Sequence, residues 1–131
     1  MIRKAKLSDV KDIYKLIEIF ANKGEMLHRP LNDIYENLRD FYVYEENAVV
    51  LGACALHISW EDIGEIRSLA VSEEAGGKGV GTVLVNACLD EAKSLGIPKI
   101  FALTYKPGEC VKCFKFPDCD ENAMVIEVTA S

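Results

Sequence analysis

The stretch that decides the fold is Ala75-Gly76-Gly77-Lys78-Gly79-Val80-Gly81, with glycine at every second position from Gly77 onward. An apolar run, Ile66 to Val71, precedes it, and an amphipathic pattern, Thr82 to Leu95, follows it. A glycine-rich turn between a strand and a helix exposes N–H groups at the positive end of the helix dipole, where phosphate binds. The alternative is a flexible loop. Glycine inside a helix costs roughly 1 kcal/mol relative to Ala, so three in one first turn indicate compensation by a ligand.

Two common phosphate-binding motifs do not match this stretch. A Walker A loop ends in Gly-Lys-Ser/Thr, whereas Lys78-Gly79-Val80 has no hydroxyl at the magnesium position. A dinucleotide fingerprint needs a third glycine where Thr82 stands, and an acidic residue on a second strand about twenty residues further on. A nucleoside triphosphate or a dinucleotide is therefore not the predicted ligand.

The run from Gly76 to Gly81 resembles the acetyl-CoA pyrophosphate loop of the GNAT N-acetyltransferase superfamily, Gln/Arg-x-x-Gly-x-Gly/Ala. One departure is Gly76, which stands where the family has Arg or Gln. The strand end Leu69-Ala70-Val71 matches the family's contact with the pantetheine arm. The resemblance implies an α/β fold with a mixed, mostly antiparallel sheet flanked by helices, and the acetyl-CoA loop between the fourth strand and the third helix. It assigns acetyl-CoA binding, as co-substrate, to Leu69, Ala70, Val71, Gly76, Gly77, Lys78, Gly79, Val80, Gly81 and Thr82.

Length and charge favour one domain over residues 1–131. The 131 residues are 50% hydrophobic, enough for one core, and the net charge is −6. An acidic chain is a poor candidate for binding nucleic acid, which requires basic stripes. No apolar run is long enough to span a membrane, and the N-terminus lacks an apolar signal core, so we expect a cytoplasmic protein.

The five cysteines fall into two groups. Cys54 and Cys88 lie in apolar patterns, which favours buried thiols. Cys110, Cys113 and Cys119 form Cys-x-x-Cys-x5-Cys, a weak zinc motif that lacks a fourth ligand. We favour unpaired thiols over a structural metal at these three positions and expect no metal requirement.

Strand and helix patterns alternate along the chain. Ser8 is a predicted N-cap, and Pro30 is well placed at a helix start. The predicted elements, in order, are a strand Ile2 to Lys6, a helix Asp9 to Lys23, a helix Leu31 to Leu38, a hairpin of Phe41 to Glu45 and Ala48 to Ile58, a strand Gly64 to Val71, a helix Gly79 to Leu95 that closes at Gly96, and strands Lys99 to Thr104 and Ala123 to Thr129.

One expected segment is missing. After Tyr105 the superfamily has a further helix and strand, about twenty residues with their turns. Here Lys106-Pro107-Gly108 runs almost directly into Cys110. Either a disordered segment is absent from this sequence and the numbering closes over it, or the protein is naturally shortened. We favour the first, which predicts an abrupt chain break between Tyr105 and Cys110.

Within the superfamily, the chain resembles the short, stand-alone bacterial N-acetylglutamate synthases. The resemblance implies transfer of an acetyl group to the α-amine of L-glutamate, in arginine biosynthesis. The segments that carry it are Lys23-Gly24-Glu25-Met26-Leu27-His28-Arg29-Pro30, Ile34-Tyr35-Glu36-Asn37-Leu38-Arg39-Asp40-Phe41, Gly64-Glu65-Ile66-Arg67-Ser68-Leu69-Ala70-Val71, Phe101-Ala102-Leu103-Thr104-Tyr105 and the tail from Cys113 to Asp120.

Acyl transfer to an amine requires a base for the amine and polarisation of the thioester carbonyl. Glu65 lies two residues before Arg67, on the same face of a strand, and matches a glutamate proposed as the family's general base. The alternative is a solvent-facing carboxylate. The backbone N–H groups of Leu69 and Ala70 are candidates to polarise the carbonyl at a strand irregularity. Tyr105 is a candidate proton donor to the CoA thiolate, with aromatic packing as its alternative.

Glutamate carries two carboxylates, which arginine's planar fork binds well. Arg67 lies beside the candidate base, and Ser68 adds a hydroxyl. Arg29 lies in the loop that covers the acceptor pocket in the superfamily. The resemblance supports Arg29, Arg67 and Ser68 as substrate ligands, with a solvated loop charge as the alternative for Arg29. We interpret His28 as an incidental loop residue.

Two alternatives to a glutamate acetyltransferase remain open. The site could serve another amine, including a protein N-terminus or lysine, or the chain could be a non-catalytic module that binds acyl-CoA. A homodimer is a further expectation, because the final hairpin of such folds often pairs between subunits.

Overall fold

The structure is a computed structural model that describes residues 1–103 and 123–127. The expectations for Tyr105, for the chain break before Cys110 and for a metal at Cys110, Cys113 and Cys119 lie outside these residues. Within them, no helix has the length and apolar character needed to cross a membrane.

The predicted order of strands and helices is confirmed. The elements are β1 (Ile2–Lys4), α1 (Val10–Asn22), α2 (Leu31–Glu36), β2 (Phe41–Glu46), β3 (Val49–Trp60), β4 (Ile63–Val71), α3 (Val80–Leu95), β5 (Lys99–Leu103) and β6 (Ala123–Glu127), with short 3₁₀ turns at Leu7–Asp9, Leu38–Asp40 and Glu73–Ala75. The described strands form one sheet in the order β1-β2-β3-β4-β5-β6. Only β4 and β5 pair in parallel, so the predicted mixed, mostly antiparallel sheet is confirmed.

Each face of the sheet carries its own hydrophobic core. Helices α1 and α2 cover one face, where they pack on Phe41, Val43, Ala53, Ala55 and Ala70. Helix α3 covers the other face and packs on residues that alternate with these along β3 and β4, including Cys54, Leu56 and Ile66. Because successive strand residues point to opposite faces, the two cores follow from the period of two.

The start of α1 differs from the prediction. Ser8 makes no capping hydrogen bond; it lies inside a 3₁₀ turn, and the helix begins at Val10. The carboxylate of Asp9 instead accepts from the backbone N–H of Lys6 at 2.7 Å and from two guanidinium nitrogens of Arg3 at 2.7 and 3.0 Å. The Arg3 pair lowers the pKa of Asp9 and fixes β1 to the start of α1.

The prediction of buried thiols at Cys54 and Cys88 is confirmed. Both side chains are fully buried between β3 and α3, with their Sγ atoms 3.7 Å apart. The neighbouring thiol and burial raise the pKa of Cys54, so this thiol is protonated and unreactive.

Candidate active site

A turn from Ser72 to Gly79, here called the glycine turn, joins β4 to α3. Gly77 and Gly79 have positive φ angles of 78° and 76°, which an L-residue with a side chain rarely adopts. The sequence predicted that α3 begins at Gly79, but Gly79 is the left-handed residue that precedes the helix. Of Gly77, Gly79 and Gly81, only Gly81 lies inside α3. The argument that a bound ligand offsets the helix-destabilising effect of glycine therefore applies only to Gly81.

The glycine turn leaves room for a ligand. A Cβ atom built on Gly77 or Gly79 would meet no described atom within 4 Å. The first N–H groups of α3 have no partner within the helix, and its first turn holds no acidic residue. An anion at this end is therefore favoured by both free donors and the helix dipole. Lys78 is exposed in the same turn and adds a positive charge.

Strand β4 contains a bulge at Ser68 and Leu69. Ala53 on β3 pairs with Ala70, whereas Ala55 pairs with Arg67, so two residues of β4 lie opposite the single Cys54. Ser68 has a positive φ of 55°, which is unusual for a residue with a side chain. The predicted strand irregularity is confirmed. A bulge of this kind disrupts the ladder locally and leaves the extra residue of β4 unpaired with β3.

Arg29 reaches from the α1–α2 loop to this bulge. Its Nη1 donates to Ser68 Oγ at 3.0 Å, and its Nε donates to Asp33 Oδ2 at 2.7 Å. The guanidinium lies over the ring of Phe41, with its carbon 5.2 Å from the ring centroid. Only 11% of the side chain is exposed, so the alternative of a solvated loop charge is wrong.

Asp33 and Asn37 hold the candidate residue Arg29 in place, although the sequence analysis did not single them out. Asn37 Nδ2 donates to Asp33 Oδ1 at 2.8 Å. This hydrogen bond fixes the Asp33 carboxylate, which in turn accepts from Arg29. The hydrogen bond from Arg29 is the main cause that lowers the pKa of Asp33, and the charge of Arg67 contributes. The spacing of four between Arg29 and Asp33, across Pro30 at the start of α2, was the available signal.

Glu65 and Arg67 form an ion pair beside this network. Arg67 Nε donates to Glu65 Oε1 at 2.7 Å, and 10% of the Glu65 side chain is exposed. The alternative of a solvent-facing Glu65 is therefore wrong. No described residue donates to Glu65 Oε2 or uses the terminal nitrogens of Arg67. We call Arg29, Asp33, Glu65, Arg67 and Ser68 the arginine cluster.

The other residues considered in the sequence analysis lie at different places in the fold. His28 is exposed and pairs with Glu18 at 3.0 Å, and its ring has no hydrogen bond to a described residue of the arginine cluster. Leu69 and Val71 pack on the α3 side of the sheet, whereas Ala70 is buried on the α1 side. Val71 also packs against Gly81, with a Cβ built on the glycine 3.7 Å from Val71 Cγ2.

The sequence and the fold were compared with those of known proteins. The family model described as the acetyltransferase (GNAT) family matches residues 7–109. This chain belongs to the GNAT acetyltransferase family. The match covers both sides of the site, from α1 through the glycine turn to β5.

Three relatives show which GNAT proteins are similar. An uncharacterized N-acetyltransferase of Chlorobaculum tepidum is 34% identical over 145 residues, covering 95% of this chain and 94% of its own. Those 145 residues exceed the 131 of this chain, so the alignment includes positions without a counterpart here. An amino-acid acetyltransferase of Mycobacterium tuberculosis is 36% identical, covering 81% of this chain and 62% of its own.

The third relative is a solved structure. The N-acetylglutamate synthase of Neisseria gonorrhoeae, complexed with coenzyme A and N-acetyl-glutamate, has a TM-score of 0.86 and 26% identity over 98% of this chain. The match covers only 35% of that chain, so this chain spans about a third of the synthase. Together the comparisons make this chain a GNAT acetyltransferase, with acetyl-CoA as a co-substrate that fits the open glycine turn.

Proposed function

We propose that this protein transfers the acetyl group of acetyl-CoA to the α-amine of a small amino acid, and that the amino acid is L-glutamate. The observation that carries the proposal is the arginine cluster, in which Arg67 pairs with the buried Glu65 and Arg29 is held beside it by Asp33 and Ser68. The names of the M. tuberculosis and N. gonorrhoeae relatives support an amino-acid acceptor and glutamate respectively.

Acetyl-CoA binds along the end of β4 and the glycine turn. The N–H groups of the turn and of the first residues of α3 receive the pyrophosphate, and the open space at Gly77 and Gly79 lets it approach the backbone. The bulge at Ser68 and Leu69 interrupts the regular ladder, and we assign polarisation of the thioester carbonyl to the N–H groups of Leu69 and Ala70. Donors fixed in this way stabilise the charge that grows on that oxygen during attack.

Glu65 removes the proton from the amine. Arg67 occupies Oε1, so Oε2 is the oxygen left for the incoming amine or for a water that bridges to it. Burial of the side chain excludes bulk water from the proton transfer. The amine nitrogen then forms its bond to the acetyl carbon, the bond from that carbon to the CoA sulfur breaks, and the nitrogen gives up its second proton, which balances the proton taken up by the departing thiolate. We keep Tyr105 as the candidate that protonates the leaving thiolate.

The two carboxylates of glutamate need two cationic partners. Arg67 offers its terminal nitrogens, and Arg29 offers Nη2 while its other groups hold Asp33 and Ser68. Arg67 is fixed by Glu65 and has both terminal nitrogens for bidentate binding of a carboxylate, so it loses little freedom on binding, whereas Arg29 contributes one nitrogen. An acceptor with only one carboxylate would leave the remaining nitrogens of one of these arginines without a substrate carboxylate.

The test is CoA release measured with a thiol reagent, acetyl-CoA and a panel of amino acids, against a control without protein. We expect turnover with L-glutamate and little with aspartate or glutamine. Turnover with another amine would discard glutamate and retain the acetyltransferase. Binding of acetyl-CoA without turnover on any amine would overturn the proposal and leave a non-catalytic acyl-CoA-binding module.

A cellular setting follows from a glutamate acceptor. We propose that the protein acts in arginine biosynthesis in the cytoplasm, and that it forms a homodimer. Gel filtration with light scattering tests the dimer. Growth of a strain without its own N-acetylglutamate synthase, with and without arginine, tests the pathway.

A further inference from the structure

His57 lies beside Glu65 and was assigned no role by the sequence motifs. In the pairing of β3 with β4, His57 is directly opposite Glu65. Opposite residues of an antiparallel pair point to the same face, with Cβ atoms about 4.5–5.5 Å apart. The imidazole and the proposed base therefore project from neighbouring positions on the face that carries the arginine cluster.

The imidazole is held by a carboxylate on its far side. His57 Nδ1 lies 3.0 Å from Asp40 Oδ2, at the end of the 3₁₀ turn before β2. When a carboxylate accepts from Nδ1–H, the other ring nitrogen, Nε2, carries the lone pair that accepts a proton. The Asp40–His57 pair thus has the arrangement that orients an imidazole as a base.

His57 is more exposed to solvent than Glu65, as expected for a residue that passes a proton from Glu65 to solvent. The Glu65 side chain is 10% exposed, whereas that of His57 is 32% exposed. Glu65 Oε2 accepts no hydrogen bond from a described residue, and no fully enclosed polar side-chain atom among the described residues lacks a partner. Oε2 is therefore accessible to a bridging water on the side that Arg67 does not occupy.

We propose that His57, oriented by Asp40, carries the proton that Glu65 takes from the amine out to solvent. The ammonium proton moves to Glu65 Oε2, and then to His57 Nε2, which restores the carboxylate. The imidazolium releases the proton to water and returns to its neutral form. His57 acts through Glu65 rather than on the substrate, Asp40 is its positioning residue, and the inference rests on the proposed acetyl transfer.

The chain supplies a matched control, because it has two histidines and each pairs through Nδ1 with a carboxylate at 3.0 Å. His57→Gln keeps an amide that can donate to Asp40 but cannot carry a proton. We expect it to lower kcat about 100-fold, the lower end for a positioned proton-transfer group, with KM for both substrates nearly unchanged. His28→Gln should leave kcat at the wild-type value.

Chemical rescue separates proton transfer from a structural tie. In His57→Ala, added imidazole should restore kcat in proportion to its concentration, whereas wild type and His28→Ala should not respond. Asp40→Asn, which keeps the side-chain shape, should lower kcat in the same direction as His57→Gln. Thermal unfolding of each variant is measured alongside.

Each outcome decides the proposal. A wild-type kcat in His57→Gln would overturn the relay. If kcat of His57→Ala falls, imidazole does not restore it and Tm is lower, the Asp40–His57 pair stabilises the fold and does not transfer protons. A wild-type chain that turns over no amino acid would overturn the proposed function and the relay with it.

Discussion

The glycine turn is built from main chain, whereas the arginine cluster is built from side chains that come from distant parts of the sequence. Gly77 and Gly79 act through their backbone angles and through the space that no side chain fills. Arg29 and Ser68, in contrast, meet across 39 residues of sequence. A ligand site of the first kind is local in sequence, and a site of the second kind exists only once the sheet and the α1–α2 loop have come together.

The two regions therefore differ in how they fail. A substitution at Gly77 or Gly79 changes backbone conformation and the room for acetyl-CoA, without removing a charged group. A neutral substitution at a charged residue of the arginine cluster removes one charge and leaves its partner unpaired. Kinetics that separate KM for acetyl-CoA, KM for the amino acid and kcat test this division.

The largest effect is expected for Glu65→Gln. The amide has nearly the same shape but cannot take the amine proton, so kcat should fall by about 10²–10⁴, the range for a general base. KM for acetyl-CoA should change little, because Glu65 lies outside the glycine turn. The control is Glu61→Gln, in the exposed turn between β3 and β4. A Glu65→Gln protein with full kcat would remove Glu65 from the proton path.

Arg67→Ala should act mainly on the amino acid. Loss of a charged hydrogen-bonding partner for a carboxylate costs about 1.5–3 kcal/mol, which corresponds to roughly a tenfold to hundredfold higher KM for glutamate. KM for acetyl-CoA should stay near the wild-type value. Arg39→Ala, at an exposed position outside the cluster, is the matched control. An unchanged KM for glutamate would exclude Arg67 from the acceptor site.

Gly79→Ala tests the glycine turn and should act on KM for acetyl-CoA. A Cβ atom at a φ of 76° costs about 1–2 kcal/mol. If the turn relieves this strain by leaving its left-handed conformation, binding of acetyl-CoA must restore that conformation, so KM for acetyl-CoA should rise by up to roughly 5–30-fold while KM for glutamate is unchanged. Gly96→Ala is the control, because Gly96 has a φ of 80° at the opposite end of α3. Both variants should lose similar stability in thermal unfolding. An equal rise in KM from both would trace the effect to the helix rather than to the turn.

The same division explains what could be predicted from the sequence. The order of elements and the glycine turn follow from hydrophobic periodicity and from local glycine spacing, which need no tertiary information. The helix start at Val10 was missed because Asp9 is engaged by Arg3 of another element, and tertiary partners override local capping preference.

The side-chain site was only partly predictable. Arg29, Arg67 and Ser68 were named from a resemblance, and the position of Glu65 beside Arg67 followed from their spacing on one strand, whereas their ion pair was not predicted. The contact of Arg29 with Ser68, the support from Asn37, and His57 opposite Glu65 depend on loop placement and strand register. Register is fixed by packing of the whole sheet, and the bulge shifts it by one residue within β4, so spacing alone could not supply it.

The smallest effect is expected for Asp33→Asn in acid. Asp33 has a pKa below its ordinary 3.8 because Arg29 donates to it, so folding favours the charged carboxylate. This contribution to the free energy of unfolding is present above the ordinary pKa and is lost as the pH falls below 3.8 through the folded-state value. The partly exposed carboxylate is screened by solvent, which keeps the effect small.

Urea unfolding of wild type and Asp33→Asn, at about pH 6 and about pH 3, measures this contribution. The wild type should be the more stable of the two near pH 6, and the difference should shrink near pH 3. Asp62→Asn is the control, because Asp62 is exposed in the turn between β3 and β4 and forms no ion pair with a described residue. A difference that stayed constant with pH would mean that Asp33 holds Arg29 by shape and hydrogen bonding alone. Glu65 and Arg67 would then be the members of the arginine cluster whose charges matter. The contrast between a cluster that acts through charge and a turn that acts through backbone conformation would hold for those two residues and not for Asp33.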